Sequence, residues 1–168
     1  VGALPANCPP VLVVQHMPAA FTGSFAVRLN GAAAVRVVEA KDGMPLESGT
    51  VYIAPGGARH MLLERRALAH IRLADGDLVS GHRPSVDLLF RSAACFGNKA
   101  IGIILTGMGE DGAEGLREMR TAGARTIGQS AESCVIYGMP RAAFEAGAVE
   151  REIPLSGIAD AIVSACRV

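Results

Sequence analysis

Val11-Leu12-Val13-Val14-Gln15-His16-Met17-Pro18 is the stretch that decides the fold. Four apolar residues, three of them valine, follow Pro9-Pro10 and run straight into a histidine. A short β-branched run closed by a proline turn reads as a strand buried on both faces, the kind found in parallel sheets. Open parallel sheets gather their functional groups beyond the carboxyl ends of the strands, which is where His16 stands. A second run, Ala100-Ile101-Gly102-Ile103-Ile104-Leu105-Thr106, ends in Gly107-Met108-Gly109-Glu110-Asp111-Gly112. A His and an Asp thus each follow an apolar strand, two of the three members of a catalytic triad.

Working outward, the pattern alternates strands and helices. Thr22 to Leu29 reads as a helix closed by Asn30-Gly31, and Val35 to Ala40 and Val51 to Ala54 as strands. Met61 to Glu64 and Leu68 to Leu73 are short, close together and partly alternating, which predicts a hairpin. A helix is expected from Ser85 to Ala94, with Ser85 as its N-cap and Asp87 in its first turn. Further helices are expected at Ala113 to Ala122, Pro140 to Ala146 and Ile158 to Cys166, with a strand at Arg125 to Gly128. Val1 to Pro5 resembles the end of a helix. The fold class is α/β: a doubly wound, mainly parallel sheet with helices on both faces and a small antiparallel excursion within about residues 51–73.

The 168 residues suit a single domain with a real core. Half of them are hydrophobic, yet no run approaches the ~20 apolar residues of a membrane span. Acidic and basic residues balance at 16 each, which gives no support to a nucleic-acid or membrane-surface role, and with no apolar run of spanning length no membrane insertion is expected. Cys8, Cys95, Cys134 and Cys166 contain no C-x-x-C pair, so they read as reduced, mostly buried thiols in a cytoplasmic protein rather than zinc ligands. His60, His70 and His82 are scattered without metal-ligand spacing, so no metal site is expected.

Two readings of Asp111 stand side by side. It precedes a predicted helix, so it suits an N-cap. It also suits the residue that orients a catalytic imidazole, while the glycine loop around it offers backbone N–H groups to an oxyanion. His16 suits a general base near neutral pH or a structural histidine at a strand end. The loop matches neither phosphate-binding glycine pattern, and its acids would repel phosphate. No G-x-S-x-G turn occurs, and none of Ser24, Ser48, Ser85, Ser130 or Ser133 follows a buried strand in a glycine turn.

Several separate motifs occur in one family's order. They are Val14-Gln15-His16-Met17-Pro18 with Phe21-Thr22 and Ser24-Phe25-Ala26, then Tyr52-Ile53-Ala54-Pro55-Gly56-Gly57 with His60-Met61, then His82-Arg83-Pro84-Ser85-Val86-Asp87. Leu105-Thr106-Gly107-Met108-Gly109 with Asp111-Gly112-Ala113 follows, and Tyr137-Gly138-Met139-Pro140 completes the set. From about residue 7 onward the chain resembles the catalytic domain of the CheB-type protein-glutamate methylesterases of bacterial chemotaxis. The resemblance implies hydrolysis of glutamate γ-methyl esters on chemoreceptors, and in many members deamidation of receptor glutamines, with no cofactor. It assigns His16 and Asp111 to a Ser-His-Asp triad and the Met108 backbone N–H to the oxyanion hole.

The family's serine sits in a G-x-S-T-G-G turn after a first strand, upstream of the Q-H-M-P motif. The expectation is that strand and serine lie upstream of Val1, so that the 168 residues alone are inactive. Val11, Val13 and Ile103 would then be short of neighbours. The implied partners are methylated receptor helices and a receiver domain, in the same protein or as a separate response regulator. The alternative is a catalytically inactive receptor-binding module of the same fold.

Overall fold

A computed structural model describes residues 1–65 and 67–165. The chain divides into two compact units, Val1–Ser85 and Val86–Val168. None of the described helices is long and apolar enough to cross a membrane.

In the first unit, β1 (Val11–Val13), β2 (Arg36–Glu39) and β3 (Thr50–Ile53) form a parallel sheet in the order β1-β3-β2. The strand covered throughout is the central one, β3, whose four residues are all buried. β1 was expected to be buried on both faces. It pairs only with β3 among the described residues, and Val11 to Val13 are half-buried. The apolar run is there, but its place at an edge removes one neighbour. Helix α1 (Ala19–Ala32) starts directly after Pro18 and is longer than its apolar spacing indicated. β4 (His60–Arg65) and β5 (Ala69–Ala74) form the antiparallel pair, so the excursion begins after β3 rather than including it. Val1 to Pro5 form turns, not a helix end, with Leu4 N–H donating to the Val1 carbonyl at 2.9 Å.

In the second unit, β6 (Ile101–Ile104), β7 (Arg125–Gln129) and β8 (Arg151–Ile153) form a parallel sheet in the order β6-β7-β8. Ile127 and Ile153 of the sheet bury against Ile158 at the start of α5 (Ile158–Ala165), with Ile101, Ile103 and Ile162 packed around them. β6 is again an edge strand, and Ile103 is half-buried. β8 went unread because Arg151 and Glu152 are exposed and only Ile153 is buried, too little for a periodic signal. Helices α2 (Val86–Ala94), α3 (Ala113–Thr121) and α4 (Met139–Glu145) complete the unit.

The packing of α2 against α3 depends on one missing side chain. A Cβ at Gly115 would lie 2.6 Å from the Asp87 carbonyl oxygen and 2.9 Å from Phe90 Cβ, so only glycine admits this approach. The thiols are less uniformly buried than composition suggested. Cys8 is buried, Cys134 half-buried and Cys95 exposed, while Cys166 lies outside the described residues.

Candidate active site

His16 follows β1 in the first unit, in a loop fixed by its neighbours. The buried Thr22 hydroxyl donates to Glu39 Oε1 at 2.5 Å and accepts the Gly56 N–H at 3.3 Å. That links α1, β2 and the turn after β3. Gly56 then lies so close to the chain after His16 that a Cβ there would overlap the Met17 carbonyl oxygen and sit 2.9 Å from the Ala19 nitrogen. Gly56→Ala is expected to push the Met17–Ala19 backbone outward, lowering stability by about 1–3 kcal/mol. A denaturation midpoint equal to that of the parent protein would contradict this packing.

His16 is half-buried, and its ring stacks on that of His82, with centroids 3.7 Å apart and planes 5° from parallel. His60 is of another kind. It is 1% exposed, its Nδ1 accepts the Ser85 N–H at 3.2 Å, and its Nε2 is 2.8 Å from the Asp77 carbonyl. These partners select the tautomer with the proton on Nε2, and both nitrogens serve the loop that leads into α2.

Asp111 and Met108 share the loop after β6 in the second unit. Asp111 is fully buried and does not cap α3, whose preceding position belongs to Gly112. Its carboxylate turns instead to the start of α2, where Oδ2 accepts the Val86 N–H at 2.8 Å and Oδ1 accepts the Asp87 N–H at 3.1 Å. A cap read from local sequence is thus a cap supplied from 25 residues away. Two charge-assisted bonds at the positive end of a helix hold the group in place. Ser85 is buried at the expected helix start, but the first two N–H groups of α2 go to Asp111. Asp87, expected to serve its own helix, accepts the Gly115 N–H of α3 at 2.7 Å.

Met108 is 78% exposed, and among the described residues its backbone N–H has no protein partner. The glycine before it is secured on both sides. Gly107 N–H donates to the Ile136 carbonyl at 3.1 Å, and its own carbonyl accepts from Gly138 at 3.1 Å and Met139 at 2.8 Å.

Gln129 was missed by sequence reasoning, although a glutamine closing the short Arg125 to Gly128 strand was a signal. It is fully buried. Its Oε1 accepts the Thr106 N–H at 2.8 Å and its Nε2 donates to the Ser133 carbonyl at 2.7 Å, so the end of β6 is tied to the loop after β7.

Three of the serines weighed as nucleophiles, Ser24, Ser130 and Ser133, have hydrogen-bonded hydroxyls. The Ser24 hydroxyl donates to the Phe21 carbonyl of its own helix at 3.0 Å. Ser130 and Ser133 bond to one another, and Ser130 also donates to Glu132 at 2.7 Å. Burial pushes the Cys134 thiol up, which keeps it protonated and a weak nucleophile.

Tyr137 donates to Glu152 Oε1 at 2.6 Å, and chiefly through that bond its phenol is pushed up to about 12. The folded value lies above the unfolded one of about 10. The bond therefore contributes fully below pH ~10 and is lost as pH rises through about 12. Tyr137 is expected to ionise late in a phenolate absorbance titration, its share identified by difference against Tyr137→Phe, and Glu152→Gln to return it to the ordinary range. An ordinary titration of Tyr137 would refute the bond.

Parallel sheets with candidate groups at the ends of their strands place the chain in the α/β class that does its chemistry at the carboxyl edge of a sheet. Within that class it belongs to the CheB methylesterase family, whose model matches residues 1–162. The chain is 58% identical over 160 residues to a protein-glutamate methylesterase/protein-glutamine glutaminase of Caulobacter vibrioides, covering 95% of this chain and 46% of that protein. A relative of the same description from Agrobacterium fabrum is 56% identical, with the same coverage. The crystal structure of the Thermotoga maritima CheB methylesterase catalytic domain superposes with a TM-score of 0.93 at 37% identity, covering 97% of this chain and 87% of that one. The chain spans about half the length of the curated relatives it matches.

Proposed function

We propose that this chain forms most of the catalytic domain of a protein-glutamate methylesterase that works through a Ser-His-Asp mechanism, with the serine carried upstream of Val1. The observation that carries the reading is the loop after β6, where exposed Met108, whose N–H has no protein partner among the described residues, lies three residues before a carboxylate anchored by two backbone N–H groups.

In the proposed reaction the serine oxygen attacks the ester carbonyl of a γ-methyl glutamyl side chain as His16 takes its proton. Asp111 fixes the tautomer of His16 and stabilises the imidazolium, and the Met108 N–H faces the oxyanion. His16 returns the proton to the departing methanol. Water, activated in the same way, then hydrolyses the glutamyl-serine ester and releases glutamate. A glutamine side chain, losing ammonia instead of methanol, would follow the same path.

β1, an apolar run of three half-buried residues paired on one side only among the described residues, supports an upstream strand beside it. The occupied hydroxyls of Ser24, Ser130 and Ser133 support an upstream nucleophile. The proposed setting is the cytoplasm. The proposed partners are methylated receptor helices and a receiver domain or separate response regulator that controls access.

The test is release of labelled methanol from methylated receptor membranes. The protein produced with its upstream sequence is expected to release methanol, and alanine in place of the upstream serine to stop it. Full activity from the 168 residues alone would overturn the reading.

A further inference from the structure

We propose that His82 is a positioning residue for His16: its ring forms a flat wall that sets the plane of the His16 imidazole. The proposal rests on His16 acting as the base.

His82 is itself held on both sides. It ends the turn Val79-Ser80-Gly81-His82, in which Val79 and His82 exchange both backbone hydrogen bonds, at 3.1 and 2.9 Å. The two central residues have φ of 50° and 77°, the double left-handed geometry that closes a tight two-residue hairpin. The next residue, Arg83, donates from Nε to the Gly57 carbonyl at 2.9 Å and from Nη1 to the Gly76 carbonyl at 2.7 Å. Gly57 N–H donates back to the Arg83 carbonyl at 3.2 Å. The His82 backbone is thus tied to the turn after β3, the same turn that abuts the chain following His16 at Gly56.

A face-to-face stack with planes 5° apart restrains rotation of the His16 ring about its Cβ–Cγ bond. It does so without using the ring nitrogens, which lie at the edge of the ring. Nδ1 and Nε2 keep their in-plane directions, one for an orienting acceptor and one for the nucleophile, as a relay needs. A rotated imidazole aims both nitrogens wrongly, and small misplacements of a reacting group cost up to roughly a hundredfold. The function of the wall is its flat shape, so an aromatic hydrocarbon ring should replace it.

The experiment uses the protein produced with its upstream sequence, and compares His82→Ala, His82→Phe and His16→Ala by methanol release and by nuclear magnetic resonance of the histidine ring protons. His82→Ala is expected to lower kcat roughly ten- to a hundredfold with KM changed less than about twofold. His82→Phe is expected to restore kcat to within about threefold of the parent. The His16 ring proton should lie upfield through the ring current of its neighbour, shift downfield in His82→Ala and remain upfield in His82→Phe. An unchanged kcat in His82→Ala, a Phe variant as slow as the Ala variant, or a His16 signal indifferent to His82 would each overturn the proposal. If His16→Ala retains activity, the base assignment fails. If His16→Ala is inactive and His82→Ala is normal, only the positioning role fails.

Discussion

Replacing His16 by alanine is expected to lower kcat on the order of 10⁴–10⁶-fold in the protein that carries the upstream serine. Without the imidazole the hydroxyl keeps its proton at the moment of attack, and methanol has no donor as it leaves. Stability should change little. His16 is half-buried, and the substitution removes one ring stack, worth about 0.5–1.5 kcal/mol. Methanol release and thermal melting, measured on the same preparation, separate the two effects. Activity within tenfold of the parent would remove His16 from the mechanism. A collapse in melting temperature would recast it as a structural histidine.

Asp111→Asn is expected to damage both activity and stability. Both carboxylate oxygens accept backbone N–H groups of α2, from Val86 and Asp87. An amide offers one oxygen and an NH₂ group, so one N–H at the helix start meets a donor instead of an acceptor. In a fully buried setting that costs about 1–3 kcal/mol. At this chain length the melting temperature should fall by roughly 2–4 °C for each kcal/mol. Activity should fall about 10⁴-fold, the scale seen when the orienting carboxylate of a triad becomes an amide. The ratio of the two effects is informative. Reduced stability with normal methanol release would make Asp111 a helix cap alone, and the proposed triad would lose its third member.

The parts legible in the sequence were those whose signal is local. β-branched runs gave β1, β3 and β6, and helical spacing gave α2 and α3, because strand and helix periods are written in neighbouring residues. Burial was less legible, since it depends on what stands beside a strand. Val11 to Val13 are as apolar as Val51 and Ile53, yet only the latter have strands on both sides. The same limit governed the site. Asp111 looked like a cap for the helix it precedes, but its acceptors serve the helix that begins 25 residues earlier. His82 looked unremarkable because no spacing rule links it to His16, 66 positions away, and only the fold stacks the two rings. Gln129 showed locally only as a polar residue closing a strand; its two partners, Thr106 and Ser133, lie on either side of it in the chain, and only the fold brings them to its opposite ends.

The exchange between α2 and α3 has a consequence for motion. Asp111, just before α3, holds the first N–H groups of α2, while Asp87, at the start of α2, holds the Gly115 N–H of α3. Each helix is latched by an acid belonging to the other's end of the chain. Neither can fray from its N-terminus without breaking the bond that secures its neighbour. Opening of this region is therefore a joint event, and the Val86, Asp87 and Gly115 amide protons should exchange with solvent as one cooperative group, more slowly than those of a singly capped helix. Natural variation is constrained in the same way: a substitution at Asp111 cannot alter the chemistry of the loop without also loosening two helices.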